Sequence, residues 1–162
     1  MIYVGGLIVS PTYPSNYKQR KDTFDNRIFR IGQIWKVRDI LVRLLPSDRM
    51  DNSRKIHPCR PVVIIQNCDY NIDAVIPYIQ IAPLTTKIKY ATKYDIIVRP
   101  EDDQVNEESM IQMPLGQPIL KKDLFMREGE ISKDKIMEII DVQLKMVGVD
   151  LEQIQKEMRQ GL

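Results

Sequence analysis

Two side chains that can act on a charged group, Arg60 and Thr85, border two apolar stretches of the sequence. The first stretch, residues 62–65, is β-branched without a polar break, which is typical of a strand buried on both faces. The second, residues 78–84, contains a single glutamine and closes near a proline. If the two strands are antiparallel neighbours, a guanidinium and a hydroxyl lie side by side at one end of a rigid sheet.

The segments around these strands are polar. Residues 67–71, which connect the two stretches, have residue types that favour a turn, so we predict that the strands pair directly. Residues 46–59, in front of Arg60, form a long polar connection that contains the single histidine, His57. Connections of this length without an apolar pattern are usually functional or disordered. We interpret this one as a mobile lid or binding loop over the site.

The charge is unevenly distributed along the chain. The net charge is +2, but residues 1–60 contain 12 Lys and Arg against 5 Asp and Glu, and residues 61–162 contain 12 against 17. The two parts therefore carry +7 and −5. A one-sided basic surface attracts phosphate backbones. The alternative is a scattered set of solvated surface charges.

Composition places the protein among globular proteins in the cytoplasm. A chain of 162 residues can bury one core with a small appendage, and 28% of its residues are charged. No apolar run approaches the roughly 18 to 20 residues of a membrane helix, and residues 1–10 lack the basic start of a secretory signal. Cys59, Cys68 and His57 are too few for a four-ligand zinc site. We expect the cysteines to be reduced and no membrane association.

The chain divides into an N-terminal extension (1–27), a compact domain (28–148) and a short helical tail (149–162). Alternating apolar and polar residues in 31–37 predict a half-buried strand, with the Trp35 ring at the core edge and its N–H paired. Residues 109–113 also predict a strand, and residues 114–118 a bend.

The C-terminal part is predicted to be helical. Ser132 is a suitable N-cap, and Gly148 ends the helix. Apolar residues at helical spacing define one face: Ile136, Ile139, Ile140, Leu144 and Val147. Asp150 and Gln153 resemble a capping box that opens a second helix through Met158. Its apolar stripe is Leu151, Ile154 and Met158, which we expect to pack on the domain, or to be covered by a partner protein.

Four segments, in this order, resemble the PemK/MazF family of toxin endoribonucleases from type II toxin–antitoxin systems. They are residues 32–37, 60–67, 81–88 and 109–111, the last followed by Leu124 and the helix from Ser132. The resemblance covers about residues 31–148. It implies a mainly β fold with a C-terminal helix, namely a small SH3-like antiparallel barrel of the CcdB/PemK/MazF type, and a symmetric homodimer.

The resemblance also implies a function. Family members cut single-stranded RNA, such as mRNA, without a metal or cofactor, leaving a 2′,3′-cyclic phosphate and a 5′-OH. A cognate antitoxin neutralises them with an extended acidic segment. Arg60 and Thr85 take the catalytic positions, where Arg60 stabilises phosphoryl charge or protonates the leaving oxygen, and Thr85 donates a hydrogen bond. Arginine is a poor base at neutral pH, so the base stays open, with His57 a candidate and an ordinary exposed histidine the alternative.

Seven residues are implied as RNA contacts: His57, Gln66, Asn67, Lys87, Ser109, Gln117 and Lys121. The chain departs from the family at residues 114–118, which replace a Glu-Gln-Ile-Arg-Thr stretch, so that Gln117 stands where relatives have an arginine. Lys121 and Lys122 could restore the positive charge.

Other interpretations remain open. Arg60 could be an ordinary strand-entry arginine paired with an acid, and Thr85 a turn hydroxyl. The chain could then be a non-cleaving binding module or a toxin with a protein target, as the CcdB toxins act on gyrase. It could also be a regulator that binds nucleic acid through its basic half, with strong salt dependence and no cleavage. The presence of both Arg60 and Thr85 favours cleavage, and the missing arginine favours binding alone.

Overall fold

The computed structural model describes residues 2–4, 7–9, 25–45, 48 and 54–160. Numbered in chain order, the strands are β1 (Ile2–Val4), β2 (Leu7–Val9), β3 (Gln33–Val37), β4 (Arg60–Ile64), β5 (Tyr78–Thr85), β6 (Ile96–Val98), β7 (Ser109–Ile111), β8 (Gln117–Leu120) and β9 (Met126–Glu130). The α-helices are α1 (Cys68–Asn71), α2 (Lys133–Met146) and α3 (Leu151–Gln160).

Seven of the strands form one antiparallel sheet in the order β6-β7-β5-β4-β3-β9, with β8 also paired to β5. Strands β1 and β2 pair with each other. One edge of β5 pairs with β4, whereas the other edge pairs with β8 at its start and β7 at its end. Since two partners share one edge, the sheet divides there and curls into a half-barrel. The predicted fold class, mainly antiparallel β with a C-terminal helix, is confirmed.

Both faces of the sheet are covered by apolar side chains, as the unbroken run in β4 predicts. Val63 and Ile65 belong to one core cluster, which α2 closes with Ile139 and Val142. Val62 belongs to the cluster on the opposite face, together with Phe29 and Trp35 among others. Because successive side chains of a strand point to opposite faces, one short sequence contributes to two cores.

The Trp35 prediction is confirmed. Its side chain is 9% exposed, and its Nε1–H donates to Gln33 Oε1 at 3.1 Å. The Phe29 ring packs against it with the ring centroids 5.1 Å apart, and the Arg27 guanidinium lies over both rings. The segment from residue 25 onward therefore packs on the domain, whereas residues 10–24 of the predicted extension lie outside the described part.

Several local predictions need correction. Residues 67–71 include a single helical turn capped by the Asn67 side chain. Strand β9 was not predicted, because its residues are mostly polar on both faces and show no alternation of apolar and polar side chains. In α2, Ile139 and Val142 face the core, whereas Ile140 is 39% exposed and Val147 75% exposed. The face of α2 that packs on the sheet is therefore rotated relative to the predicted one. Tertiary packing determines this rotation, and the periodicity of the sequence does not.

The helix boundaries agree with the sequence. Gly148 has a positive φ of 86° after α2, and Asp150 Oδ1 accepts a hydrogen bond from the Gln153 backbone N–H at 3.2 Å. In α3, Leu151 and Ile154 are each about 40% exposed, so no described residue covers this part of the predicted stripe fully. In the part of the chain that is described, no helix has the length and apolar character needed to cross a bilayer.

Gly129 provides a test of the packing between β9 and the connection from β6 to β7, residues 99–108. A Cβ at Gly129 would lie 2.5 Å from the Gln104 carbonyl oxygen, which cannot move freely because Gln104 N–H donates to Glu130 O at 3.0 Å. We expect Gly129→Ala to lower the free energy of unfolding by about 1–3 kcal/mol, measured by urea titration. The control is Gly116→Ala, whose nearest atoms would be 3.1 and 3.2 Å away. Equal stability of the two variants would contradict this account.

Candidate active site

Arg60 and Thr85 meet at one wall of an open cleft of about 1030 Å³, which both residues line. In the antiparallel pairing of β4 with β5, Val62 is opposite Pro83. The same register, continued by two residues, places Arg60 opposite Thr85. Arg60 Nη1 also lies 3.5 Å from the Leu84 carbonyl oxygen. The prediction that both side chains lie at the same end of the sheet is confirmed.

A fully buried carboxylate lies behind Arg60. Asp39 follows β3 in a 3-10 turn over Asp39–Leu41 and is 0% exposed. Its Oδ1 accepts hydrogen bonds from Arg60 Nε at 2.6 Å and from Arg54 Nη2. Its Oδ2 accepts one from the His57 backbone N–H at 2.9 Å. Three donors from the loop before β4 and from β4 itself therefore converge on one side chain.

This arrangement keeps Asp39 ionised at neutral pH. Burial by itself raises the pKa of a carboxyl group, but hydrogen bonds from Arg60 and from the His57 backbone, with the charge of Arg60 and a hydrogen bond from Arg54, bring the pKa of Asp39 below its ordinary value of 3.8. An ionised carboxylate only accepts hydrogen bonds. Asp39 therefore serves as the counter-charge for the two arginines.

The two arginines that share Asp39 differ in which of their N–H donors are used by the protein. Arg54 Nη1 donates to Val42 O and Asp48 Oδ1, and Nη2 donates to both the backbone and side-chain oxygens of Asp39. The Arg54 Nε is buried and has no hydrogen-bond partner among the described residues. Arg60 donates its Nε–H to Asp39, while its Nη2 has no hydrogen-bond partner among the described residues. Arg54 thus fastens the loop, and Arg60 retains donors for a ligand.

Thr85 is half-buried and also retains a donor. Its Oγ1 accepts a hydrogen bond from the Lys87 backbone N–H at 3.3 Å. That contact uses a lone pair, and no described residue accepts the hydroxyl hydrogen. The Thr85 hydroxyl can therefore donate to a group that also contacts Arg60.

Three of the predicted RNA contacts line the same cleft: His57, Lys87 and Ser109. His57 and Lys87 are exposed. Ser109 is 4% exposed, and its hydroxyl donates to the Glu107 backbone oxygen at 2.9 Å. Ser109 therefore forms part of the cleft wall, with its hydroxyl hydrogen already used.

Gln66 and Asn67 do not line this cleft. Gln66 is six positions after Arg60 along an extended segment, a distance of about 20 Å, so it lies just beyond the opposite end of β4. Its Oε1 accepts a hydrogen bond from the Gln80 backbone N–H at 3.0 Å. Asn67 Oδ1 accepts one from Asp69 N–H and caps α1. Both side chains have local structural partners.

Two further predicted contacts lie elsewhere, and for Lys121 the prediction is wrong. Lys121 is fully buried, its Nζ donates to Asp73 O at 2.8 Å, and burial lowers the pKa of its ammonium although Asp25 and Asp73 oppose the shift. A buried ammonium cannot contact RNA. Gln117 lies outside the cleft, and its side-chain amide pairs with the backbone of Arg43 in both directions. It does not replace the missing arginine.

The sequence reasoning missed Asp39 and Arg54. The signal for Asp39 was its position in an apolar stretch, which indicates a buried acid that needs a partner; nothing in the sequence identified Arg54 or Arg60 as that partner. It also missed three amide side chains in the cleft lining: Gln104, Asn106 and Gln112. Amides are common surface residues, so no pattern distinguished these.

The cleft is predominantly basic. Five basic residues line its described part against two acidic residues: Arg54, Lys55, Arg60, Lys87 and Arg127 against Glu107 and Glu128. Among the described residues, no group of three His, Cys, Asp or Glu side chains is placed to hold a metal ion. Cys59 and Cys68 are free thiols. The arrangement suits an anionic ligand that enters against Arg60 and Thr85.

Comparison with a family model identifies the chain. The model of PemK-like, MazF-like toxins of type II toxin–antitoxin systems matches residues 36–147, which is more than half of the sequence. The chain belongs to this family. The matched region contains Arg60, Thr85 and Asp39. No curated protein matches the sequence significantly.

Solved structures agree with the PemK/MazF fold. An endoribonuclease in complex with its cognate antitoxin, from a Mycobacterial species, is 15% identical with a TM-score of 0.53, covering 76% of this chain and 96% of its own. The MazE–MazF structure from Deinococcus radiodurans is 12% identical with a TM-score of 0.54, covering 76% and 99%. Mycobacterium tuberculosis toxin MazF-mt6 is 18% identical with a TM-score of 0.50, covering 57% and 89%. At these identities the likeness shows the fold.

The depressed pKa of Asp39 makes stability depend on pH. We expect Asp39→Asn to be less stable than the wild type by about 3 kcal/mol at pH 7, because two arginines lose their buried counter-charge. Since the folded pKa lies below 3.8, the wild-type advantage is full above that pH and is lost as the pH falls below it. Urea unfolding at pH 7, 5 and 3 measures the difference.

The control for this experiment is Asp141→Asn. Asp141 pairs with Lys145 on the exposed side of α2, and exposed pairs contribute about 0–1 kcal/mol. A difference between wild type and Asp39→Asn that is the same at pH 7 and pH 3 would show that the ionised form of Asp39 has no stabilising role.

Proposed function

We propose that this PemK/MazF-family protein is a toxin endoribonuclease that cuts single-stranded RNA without a metal ion. The observation that supports this most directly is that Arg60 lies opposite Thr85 in the continued register of β4 and β5, with both residues lining the cleft. Arg60 is held through Nε by Asp39, and its remaining donors can meet a phosphate. The basic character of the cleft fits an RNA strand better than a neutral ligand.

The chemistry requires in-line attack by a ribose 2′-OH on the adjacent phosphorus. The O2′–P bond forms, the P–O5′ bond breaks, and the products are a 2′,3′-cyclic phosphate and a 5′-OH. Arg60 stabilises the negative charge that develops on the phosphoryl oxygens, and Thr85 adds one hydrogen bond. A proton must leave the 2′-OH and another must reach the 5′ oxygen. His57, exposed on the cleft, is the candidate base, and Arg60 is the candidate donor to the leaving oxygen.

The partners follow from the same proposal. We infer that the chain forms a homodimer in the cytoplasm, where mRNA is available, and that a cognate antitoxin neutralises it. Two of the structural relatives are complexes of such toxins with their antitoxins. An acidic segment of an antitoxin would compete with RNA for the basic residues of the cleft, including Lys55 and Lys87.

The direct test is cleavage of a long single-stranded RNA in EDTA. We expect discrete cuts that bear 5′-OH and cyclic phosphate ends. Arg60→Ala should lower the cleavage rate by about 100-fold or more, because it removes a donor to the transition state, and Thr85→Val should lower it in the same direction. Mapping of the ends and single-turnover rates provide the measurement.

Arg99→Ala is the matched control, because Arg99 pairs with Glu108 at the surface and does not line the cleft. It should cut as the wild type does. Intact RNA at high concentrations of folded wild-type protein would overturn the proposal. RNA that binds with strong salt dependence but stays intact would favour a nucleic-acid-binding regulator.

Lys87 tests the path of the RNA strand. We expect Lys87→Ala to weaken RNA binding and to reduce the slope of log K against log salt by about 0.7, the value for one phosphate contact to a single strand. The cleavage rate of the bound complex should change little. Lys93→Ala is the control, since Lys93 lies over the Tyr94 ring and outside the cleft. Equal salt slopes for wild type and Lys87→Ala would exclude this contact.

A further inference from the structure

We propose that Asp39 is a positioning residue for the reaction: it holds the Arg60 guanidinium by Nε so that the terminal nitrogens face the reacting phosphate. The inference rests on the proposed RNA cleavage, and it adds a residue that lies outside the cleft lining. Asp39 is 0% exposed and cannot touch RNA itself. Any effect on the reaction must therefore pass through the side chains that it binds.

The need for such a residue follows from the arginine side chain. Arg60 has four rotatable side-chain bonds, and a half-buried arginine at a strand entry has no fixed direction without a partner. Transition-state stabilisation requires donors placed to within a fraction of an ångström, and a misplacement of about 1 Å can cost 100-fold in rate. The 2.6 Å hydrogen bond from Arg60 Nε to Asp39 removes most of that freedom.

Asp39 is itself held firmly. It lies in a 3-10 turn that directly follows β3, and its second oxygen accepts from the His57 backbone. Arg54 occupies the same oxygen as Arg60 and is bound in turn by Asp48. The carboxylate therefore cannot rotate away when a phosphate attracts Arg60, and the guanidinium keeps its direction while its terminal nitrogens take up the anion.

A comparison within the protein separates this role from a purely structural ion pair. Asp25 and Arg27 also form an Asp–Arg pair, in which Asp25 is buried and the Arg27 side chain is 39% exposed. There, Arg27 uses Nε and Nη2 on Asp25, and its terminal nitrogens also donate to the backbone oxygens of Lys121 and Leu124. Each nitrogen of Arg27 has a protein partner. In the Asp39 pair, the Arg60 Nη2 has none among the described residues, and Arg60 lines the cleft.

The first measurement is the hydrogen exchange of the Arg60 Nε–H, observed by NMR and assigned with Arg60→Lys. We expect slow exchange in the wild type, because Nε–H is hydrogen-bonded to a buried carboxylate, and loss of that protection in Asp39→Asn. Exchange in the wild type as fast as that of the exposed Arg38 would overturn the proposal. The wild-type measurement tests the hydrogen bond by itself and does not require that Asp39→Asn folds; the comparison with Asp39→Asn is made on the folded variant.

The second measurement separates positioning from stability. We expect Asp39→Asn to lower the single-turnover cleavage rate by about 100-fold, with the RNA dissociation constant close to that of the wild type. Asp25→Asn breaks the comparable pair away from the cleft and should leave the rate per folded molecule unchanged. Equal losses in the two variants would mean that both pairs act through stability alone.

A double-mutant cycle decides whether Asp39 acts through Arg60. In an Arg60→Lys background, Asp39→Asn should cost little further activity, since the group that it positions is already gone. Additive losses would overturn the proposal. If the wild type does not cut RNA although Arg60 Nε–H is protected, the proposed function is wrong, while the hydrogen bond by which Asp39 holds Arg60 is confirmed. If the Nε–H is unprotected, the proposed role of Asp39 is wrong whatever the cleavage result.

Discussion

A carboxylate buried inside a protein must be paired, and at Asp39 this requirement organises one end of the sheet. Its partners come from the loop before β4 and from the first residue of β4: Arg54, the His57 backbone and Arg60. Arg54 and His57, at the described end of the polar connection, are thereby held against the domain. The same pairing that holds the loop also sets the direction of Arg60, so local stability and the geometry of the cleft depend on one side chain.

The strands that place Arg60 and Thr85 have little freedom of their own. Strand β4 contributes side chains to both cores, and β5 pairs with three neighbours along its eight residues. Functional groups on such strands are positioned more accurately than groups on loops. Because β5 changes partners from β8 to β7 along one edge, the sheet curls, and a cleft opens where the ends of β4 and β5 meet.

Local patterns predicted the parts of the fold that depend on local rules. The β-branched run of β4 indicated burial on both faces, and the antiparallel pairing with β5 correctly placed Arg60 beside Thr85. The helix end at Gly148 was likewise predicted from the sequence. Predictions that depended on which side faces inward were less accurate: Ile140 and Val147 are exposed although they follow the helical period. A helix period defines a stripe, whereas packing determines how far the helix rotates.

The sequence by itself determined the family, the principal strands and the two candidate catalytic side chains, since these depend on motifs and short-range periodicity. The tertiary structure decided which charges meet. Lys121 is buried because Asp73, 48 residues away in sequence, offers it a carbonyl oxygen, and Asp39 finds Arg60 21 residues further along the chain. Gln66 lies near Arg60 in sequence but at the other end of a strand. Contacts between distant segments depend on how the sheet curls, and no local pattern encodes that curvature.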